Sequence, residues 1–460
     1  MNTYDTHRME RHARRMQELR SWRNAREHAV DQWRLTVNGE SYPVRLGERW
    51  PVVETPVEIT GTIKVPDDFR GDTVELELWL GGEGYVELSN GVSGGLNAMH
   101  RFFAIADPAQ GGEQLQVRAE VSPKAIFGTN IPSPALERAH LLVPEADLRA
   151  LERDLTMTLE ACSQLRDYDV ASHLLDIVDA AFVTLAPAWP SGTETSLARF
   201  ITGRDNPLGS GAGAVAGGFG REAVDVYSVA RSLWSLPPVP RPLEPLPEEA
   251  RAAVRQARAV VAERLESLKA EFPPAGRVAL TGHAHIDLAW LWPVAETQRK
   301  CRRTFASVLD LMDRYEDFTF NQSSAQAYSW IEEQAPELFE RIRRRIEEGR
   351  WEDIGGSWCE QDSQVTGGES MVRQLFYGQR YFEEKFGRRH TVAWLPDVFG
   401  FSPGIPQLLL GAGIPYFFTI KVNWNETNVL PYDIFEWEGI DGSRVLAHTF
   451  NNPGQGYNGN

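Results

Sequence analysis

The chain has 460 residues, which is more than one ordinary domain holds and predicts two or three. Its formal net charge is −17 at pH 7, so composition gives no general electrostatic case for nucleic acid or an anionic membrane surface as a partner, since both are polyanions. A hydrophobic fraction of 42% is enough for packed cores and excludes a disordered or collagen-like chain.

Targeting signals and disulfides are not expected. No stretch has the ~18 uninterrupted apolar residues of a membrane-spanning helix, and the N-terminus lacks the apolar centre of a secretory signal. Cys162, Cys301 and Cys359 are far apart and include no C-x-x-C pair, which argues against disulfides and zinc fingers. These features are typical of a cytoplasmic protein.

The N-terminal half is predicted to consist of a helix, a β-rich domain and a helical region. Residues 1–40 carry helix formers with apolar residues at helical spacing and predict an N-terminal helix. Residues 41–133 contain short β-rich runs broken by Gly and Asp turns, and predict an antiparallel, sandwich-like domain. Residues 134–274 return to helices, which Gly- and Pro-rich linkers at 187–220 and 236–247 interrupt.

Residues 275–460 show regular alternation of strand-like and helical runs. Such βα units predict an α/β domain with a parallel sheet and helices on both of its faces. The strand-like runs are RVALTGH (277–283), FTFNQSS (318–324), WEDIGGSW (351–358), TVAWLP (391–396) and YFFTIK (416–421). A hairpin that turns at Asp441-Gly442 is predicted to follow them.

Polar side chains follow nearly every one of these predicted strands. Ligands of open parallel sheets bind at the carboxyl ends of the strands, so we expect these side chains to meet at one catalytic edge. They are His283, His285, Asp287, Asn321, Gln322, Glu360, Asp362, Asp397, Lys421 and His448.

The densest group lies in the segment GHAHIDLAWLWP. His285 and Asp287 are two residues apart, so on an extended segment both side chains point to one face. An imidazole nitrogen with a carboxylate oxygen suits zinc or a similar divalent ion, although such a pair is also common as a simple hydrogen-bonded pair. His283 lies on the same face and is a candidate third ligand or a partner of one. Trp290 is either a core residue or a platform for a sugar ring.

Asp397 follows an apolar strand and Pro396. A charged carboxylate in apolar surroundings needs a cation or hydrogen-bond donors, because desolvation disfavours its charged form. A metal ion would compensate it. The alternative is an Asp that caps the turn before a helix.

Four strings together resemble glycoside hydrolase family 38, the α-mannosidases, and in particular the branch with bacterial and cytosolic enzymes. They are H-A-H-I-D-L-A-W-L-W-P, G-G-S-W-C-E-Q-D followed by G-E-S-M-V-R-Q, W-L-P-D-V-F-G, and F-E-W-E-G-I-D-G-S-R-V-L-A-H. The resemblance spans residues 275–450. It implies hydrolysis of terminal α-mannosides of oligosaccharides with retention of configuration.

The resemblance also assigns roles to residues. It implies one zinc ion held by His285, Asp287 and Asp397, and it makes Asp397 the catalytic nucleophile that forms a covalent mannosyl-enzyme. The substrate-binding residues that it implies are Trp290, Phe399, Asp362, Lys421 and His448. The family pattern places a fourth zinc ligand and the general acid downstream of Asn460, so we expect this sequence to correspond to the front part of such an enzyme.

Two other functions remain open at this stage. A metal-dependent amide or ester hydrolase would use the same histidines and aspartates to hold a metal-bound hydroxide. A non-catalytic carbohydrate-binding protein would use the β-rich region and the Trp faces. The expected partner is an α-mannoside oligosaccharide rather than nucleic acid or a membrane. The basic N-terminal helix could pack on a second copy of the chain, which leaves a homo-oligomer open.

Overall fold

The computed structural model describes residues 3–54, 56–125, 128–190, 245–423, 427–428 and 430–449. The chain divides into two compact units, the first made of Met1–Val92 and Leu96–Val278, the second of Ser93–Gly95 and Ala279–Asn460. Both contain helices and sheets, which confirms a mixed α/β chain. The predicted linkers at 187–220 and 236–247 lie almost wholly outside the described residues.

The N-terminal helix is shorter than predicted. Helix α1 covers Thr3–Ser21, and strands β1 (Asn24–Ala29) and β2 (Trp33–Val37) follow it, so the expectation of a helix over residues 1–40 is wrong beyond Ser21. After Ser21 the spacing of buried residues changes from the helical period to the alternation of a strand. Trp33 and Leu35 are buried, while Arg34 between them is exposed.

Two antiparallel sheets follow. One has the strand order β1-β10-β5-β8 and the other β3-β2-β4-β9-β6-β7. The remaining strands are β3 (Glu40–Val44), β4 (Val57–Lys64), β5 (Val74–Trp79), β6 (Glu83–Leu88), β7 (Ser93–Leu96), β8 (Phe102–Ala106), β9 (Gln114–Ser122) and β10 (Arg138–Pro144). Alternate residues of β4 and β5, such as Ile59 and Leu76, share one buried apolar cluster.

Three long helices pack with α1 in the first unit. They are α2 (Ala146–Gln164), α3 (Val170–Leu185) and α4 (Glu248–Glu271). Each contributes an apolar stripe at helical spacing to a second buried cluster, for example Leu151 and Leu155 of α2 and Val254 and Val261 of α4.

His12 of α1 is fully buried against α3. Its ring stacks on that of Phe182 with the centroids 5.5 Å apart, and its Nε2 lies 3.1 Å from Asp179. Burial lowers the pKa of His12 to about 4, and three neighbouring arginines act in the same direction although Asp179 opposes them. The ring is therefore neutral in the folded protein near pH 7.

We predict that the stability of the first unit falls as the pH falls from about 6.5 to about 4. The unfolded chain binds the proton at about pH 6.5, whereas the folded chain binds it only near 4, so acid in this window favours unfolding, by up to about 3 kcal/mol. Urea unfolding followed by circular dichroism at several pH values measures this. His12→Gln should lose this part of the pH dependence, and the exposed His7→Gln should keep it. Equal pH slopes for wild type and His12→Gln would contradict the prediction.

The second unit contains two short sheets. Strands β11 (Gly282–His283), β12 (Phe320–Gln322) and β13 (Trp351–Asp353) pair in parallel. Strands β14 (Val392–Trp394), β15 (Tyr416–Thr419) and β17 (Arg444–Thr449) also pair in parallel, and β16 (Ile434–Glu438) joins β17 as the antiparallel partner of the predicted hairpin. The helices are α5 (Val294–Arg314), α6 (Ala325–Gln334), α7 (Pro336–Glu347), α8 (Gly368–Phe386) and α9 (Ile405–Gly411).

The first predicted strand of this unit is largely absent. The run 277–283 forms a strand only at Gly282–His283, and the side chains of Val278 and Leu280 are 82% and 85% exposed. An alternating apolar pattern produces a strand when a neighbouring strand and a covered face are available, and the described residues cover neither of these side chains.

Aromatic side chains pack around strand β13 in the sheet that β11, β12 and β13 form. Trp351 of β13 is fully buried, donates a hydrogen bond from Nε1 to the hydroxyl of Tyr328 (2.8 Å), and lies edge-on to Phe305. The buried Trp indole and Tyr hydroxyl thus satisfy one another. This core holds the strand ends that lead into the polar loops.

The loop after β13 approaches α8 closely at Gly378. A Cβ at this glycine would lie 2.4 Å from the carbonyl carbon of Ser357 and 2.6 Å from the oxygen of Gly356. The backbone nitrogen of Trp358 also donates to the oxygen of Gln374 (2.9 Å). The absence of a side chain at residue 378 therefore fixes how near the loop lies to the helix.

We predict that Gly378→Ala lowers the free energy of unfolding by about 1–3 kcal/mol, because the new methyl group meets backbone atoms rather than flexible side chains. Gly411→Ala in α9 is the matched control, since a Cβ there meets nothing within 4 Å and should leave stability unchanged or raise it by up to ~1 kcal/mol. Thermal or chemical unfolding compares the two variants. Equal stabilities would show that the loop does not depend on this contact.

Candidate active site

The loop after β11 carries His285 and Asp287 and is anchored on the start of α5. The hydroxyl of Thr297 accepts a hydrogen bond from the indole of Trp292 (3.0 Å) and donates one to the carbonyl oxygen of Leu288 (2.8 Å). The loop backbone next to Asp287 is thereby tied to a helix, although the loop itself forms no regular structure.

Asp397 lies at the carboxyl end of β14. Backbone pairing with β15 continues past the strand, as the nitrogen of Leu395 donates to the oxygen of Phe418 (3.0 Å) and the nitrogen of Ile420 donates to the oxygen of Pro396 (3.3 Å). This pairing carries the chain in extended form up to Asp397.

Glu360 lies in the loop that packs on Gly378. The neighbouring Cys359 nitrogen donates to Oε1 of Gln374 in α8 (3.0 Å). The carboxylate of Glu360 accepts a hydrogen bond from the hydroxyl of Ser323, the residue after β12 (2.8 Å). Glu360 is therefore held from two elements.

These loops bring His285, Asp287 and Asp397 together. Nε2 of His285 lies 3.3 Å from Oδ1 of Asp287 and 3.3 Å from Oδ2 of Asp397. One donor atom from each of the three residues lies within 4.8 Å of the others, and this is the one such group of three or more among the described residues. The sequence prediction named these same three residues as metal ligands.

The electrostatics of this group fit a bound cation. Burial would lower the pKa of His285, but hydrogen bonds with Asp287, Asp397 and Glu360 raise it to about 12, so its ring is protonated. Nε2 lies 3.3 Å from a carboxylate oxygen of each aspartate, so positive charge is favoured there. One imidazole nitrogen and two carboxylate oxygens form a donor set that zinc and similar divalent ions accept.

Lys421 lies against the carboxylate of Asp397. Its side chain is 1% exposed, and its Nζ contacts Oδ1 of Asp397. Burial would raise the pKa of Asp397, but His285 and Lys421 lower it, so this carboxylate is ionised. Nζ also lies 4.2 Å from the ring centroid of Phe399, which is a cation–π distance.

His283 does not belong to the group of donors. Its Nδ1 lies 2.8 Å from Oδ1 of Asn321, and the indole of Trp394 donates to its Nε2 (3.2 Å). The Trp394 contact occupies the Nε2 lone pair and leaves the Nδ1 proton for Asn321. Burial lowers the pKa of His283, which agrees with a neutral ring. Its two predicted roles, a ligand or a partner of one, stay predictions.

The other predicted substrate-binding residues lie in several environments. Trp290 and Phe399 expose 55% and 65% of their surface. Asp362 is exposed, and its Oδ1 accepts hydrogen bonds from the backbone nitrogens of Gln364 (2.7 Å) and Val365 (3.0 Å). These hydrogen bonds lower the pKa of Asp362. Their roles toward a substrate stay predictions.

His448 lies in a row of ring contacts across the strand ends. Its ring is 5.7 Å from that of Phe418, which stacks on Trp394 at 4.1 Å, and Trp394 is 5.1 Å from His283. The row connects residues of both sheets of the second unit. Aromatic rings therefore pack side by side from His283 to His448 at the ends of these strands.

Two residues of this site had no assigned role in the sequence analysis. Glu360 was named only among the acids at the strand ends, whereas the family resemblance implied a role for Asp362 two residues later. Trp394 lies within a strand-like run and reads as core. In the structure Glu360 contacts His285, with Oε2 3.0 Å from Nδ1, and Trp394 contacts His283.

Residues 275–460 match the family described as Glycosyl hydrolases family 38 N-terminal domain. The resemblance drawn from the sequence is confirmed for this part of the chain. The donor group of His285, Asp287 and Asp397 lies within the matched residues.

Curated relatives match part of the chain. The chain is 48% identical over 172 residues to Alpha-mannosidase G of Dictyostelium discoideum, 46% over 168 residues to Alpha-mannosidase 2C1 of Homo sapiens, and 45% over 168 residues to an Alpha-mannosidase of Saccharomyces cerevisiae. The matches cover 36–37% of this chain and 16% of each relative. The chain thus spans a small part of the length of these relatives.

A solved alpha-mannosidase structure from Enterococcus faecalis is 22% identical, with a TM-score of 0.32, and the similarity covers 37% of this chain and 19% of that one. Across the described parts of the chain, none of the helices is both long and apolar enough to pass through a membrane.

We predict that zinc raises the Tm of the wild-type chain, because an ion that binds the folded state alone stabilises it. His285→Gln and Asp287→Asn should lose this shift, since each removes one of three donors, and their zinc affinity should fall by more than the ~10–100-fold typical of an outer partner. Asp441→Asn in the exposed β16–β17 turn is the control. An unchanged zinc-dependent Tm shift in both donor variants would place the ion elsewhere.

Proposed function

We propose that residues 275–460 form the catalytic domain of a zinc-dependent α-mannosidase that cleaves terminal α-mannosides of oligosaccharides with retention. The observation that carries this proposal is the convergence of His285, Asp287 and Asp397 in the part of the chain that matches the family 38 model. The relatives named alpha-mannosidase support the substrate class. In the same proposal, the α/β region with its parallel strands is the catalytic fold, and the β-rich and helical regions precede it.

His285, Asp287 and Asp397 would hold the zinc ion. When bound, zinc would supply Lewis acidity and positive charge toward the hydroxyl groups of the sugar. The choice of these residues rests on their donor types and on the distances between their side chains.

Asp397 is the proposed nucleophile. Its side chain is 12% exposed against 35% for Asp287, and it alone of the two carboxylates has Lys421 beside it. Lys421 keeps the carboxylate ionised without covering both of its oxygens, since it contacts Oδ1 while Oδ2 faces His285. An ionised and poorly solvated carboxylate is suited to attack a carbon that develops positive charge.

The reaction then has two steps. Asp397 forms a bond to the anomeric carbon as the bond from that carbon to the leaving oxygen breaks, and the leaving oxygen takes a proton from solvent. Water next attacks the same carbon, frees Asp397 and returns a proton to solvent, so two inversions give retention of configuration.

The exposed aromatic rings provide the proposed sugar contacts. Trp290 and Phe399 present apolar faces of the kind that pack on the C–H faces of a sugar ring. We assign Asp362 and His448 as further polar contacts on the basis of the family resemblance, together with Lys421 through its contact with Asp397.

We predict that the chain, loaded with zinc, hydrolyses 2,4-dinitrophenyl α-mannoside. This leaving group departs as a stable anion, so cleavage needs no proton from a general acid. Asp397→Asn should lower the rate on the order of 10³-fold or more, because it removes the nucleophile. Glu369→Gln is the control, since Glu369 is exposed on α8 and pairs with Arg373. A 5-fluoromannosyl fluoride should label Asp397, and peptide mass spectrometry would locate the label.

Other outcomes would replace the proposal. Hydrolysis of an acetylated sugar without cleavage of the mannoside would favour a metal-dependent ester or amide hydrolase. Mannose binding without either reaction, in a folded and zinc-loaded chain, would favour a carbohydrate-binding protein. If the label were found on a residue other than Asp397, the proposed activity would be retained and the nucleophile would be reassigned to the labelled residue.

A further inference from the structure

The imidazole of His285 has a carboxylate on each side of its ring. Its Nε2 faces Asp287 and Asp397, whereas its Nδ1 lies 3.0 Å from Oε2 of Glu360. Glu360 is well enclosed, with 11% of its side chain exposed. The contact between Glu360 and His285 thus lies on the side of the ring that points away from the other two carboxylates.

A histidine can offer only one nitrogen to a cation while the other carries the proton. For Nε2 to face a metal ion, the proton has to reside on Nδ1, and an acceptor beside Nδ1 favours this tautomer. Glu360 places a carboxylate oxygen 3.0 Å from Nδ1, at ion-pair distance, and its negative charge favours the proton on that nitrogen. A carboxylate there also raises the basicity of the opposite nitrogen.

Glu360 is itself held in place. The hydroxyl of Ser323 donates to Oε1 of Glu360 (2.8 Å), which leaves Oε2 for His285. Ser323 is 2% exposed and follows β12, a strand of the parallel sheet that also contains β11. Glu360 is therefore connected to a neighbouring strand end and not only to its own loop.

The surrounding backbone also restricts the position of Glu360. The nitrogen of the preceding Cys359 donates to the side chain of Gln374, and the nitrogen of Gln326 at the start of α6 donates to the oxygen of Trp358 (2.9 Å). Glu360 is not one of the three donors that cluster together. It contacts the candidate ligand His285 and does not itself belong to the candidate ligands.

We propose that Glu360 is a positioning residue for the metal centre: held by Ser323, it fixes the tautomer and the ring orientation of His285, so that Nε2 faces the ion. The inference rests on the proposed function only in requiring a divalent ion at His285, Asp287 and Asp397. It assigns Glu360 no contact with substrate.

The test measures metal binding by the full chain and does not depend on activity. The probes are Zn²⁺, with its Kd obtained by competition with a chromophoric chelator, and Co²⁺, whose visible absorption reports on the ligand field. Glu360→Ala should weaken Zn²⁺ binding by about 10–100-fold and alter the Co²⁺ spectrum. Glu360→Gln keeps an acceptor for Nδ1–H but lacks the charge, so its affinity should lie between those of Glu360→Ala and wild type. Ser323→Ala should weaken binding less than Glu360→Ala.

Glu369→Gln, the exposed control on α8, should bind both metals as wild type does. Circular dichroism and the Tm in chelator establish that each variant is folded, and Glu360→Gln serves if Glu360→Ala is not. An unchanged Kd and an unchanged Co²⁺ spectrum in folded Glu360 variants, with wild type binding metal, would overturn this inference alone. A wild-type chain that binds neither metal would instead overturn the metal centre of the proposed function.

Discussion

Three carboxylates converge on the imidazole of His285, and the candidate site depends on how this concentration of negative charge is stabilised. Carboxylates so close together cannot all remain ionised unless positive charge lies among them. The protein supplies the protonated ring of His285 and the buried ammonium of Lys421. A divalent ion between Asp287 and Asp397 would satisfy the same requirement more fully, since it replaces one proton by two charges.

The loops that carry these groups come from different strand ends, so their relative positions depend on contacts between loops. Ser363, three residues after Glu360, donates from its hydroxyl to the oxygen of Gly400, three residues after Asp397 (2.7 Å). Gly378 allows the Glu360 loop to lie directly on α8. The aromatic row from His283 to His448 supports the site from the strands. Short strands can therefore carry a well-defined site, because side-chain and backbone contacts connect their extensions.

The family resemblance named His285, Asp287 and Asp397 as one group, and the structure brings these three side chains together. The spacing of His285 and Asp287 and the apolar setting of Asp397 left simpler interpretations open. The roles of Glu360 and Trp394 depend on which residues meet across strands, and no spacing in the chain encodes that. The same holds for the contact between the indole of Trp394 and Nε2 of His283, which the spacing of the histidines does not predict. In the fold, the helix expected over residues 1–40 ends at Ser21. Trp33 and Leu35 are buried in strand β2, and this burial outweighs the helix propensity of the segment.

The central claim is that one cation site exists between His285, Asp287 and Asp397. A crystal of the 460-residue chain grown with zinc, measured on both sides of the zinc absorption edge, tests it most directly. The account predicts an anomalous peak within ligand distance of Nε2 of His285 and of a carboxylate oxygen from each of Asp287 and Asp397. A peak bound instead at His283 or His448, or ordered density for the three side chains without any peak, would contradict it.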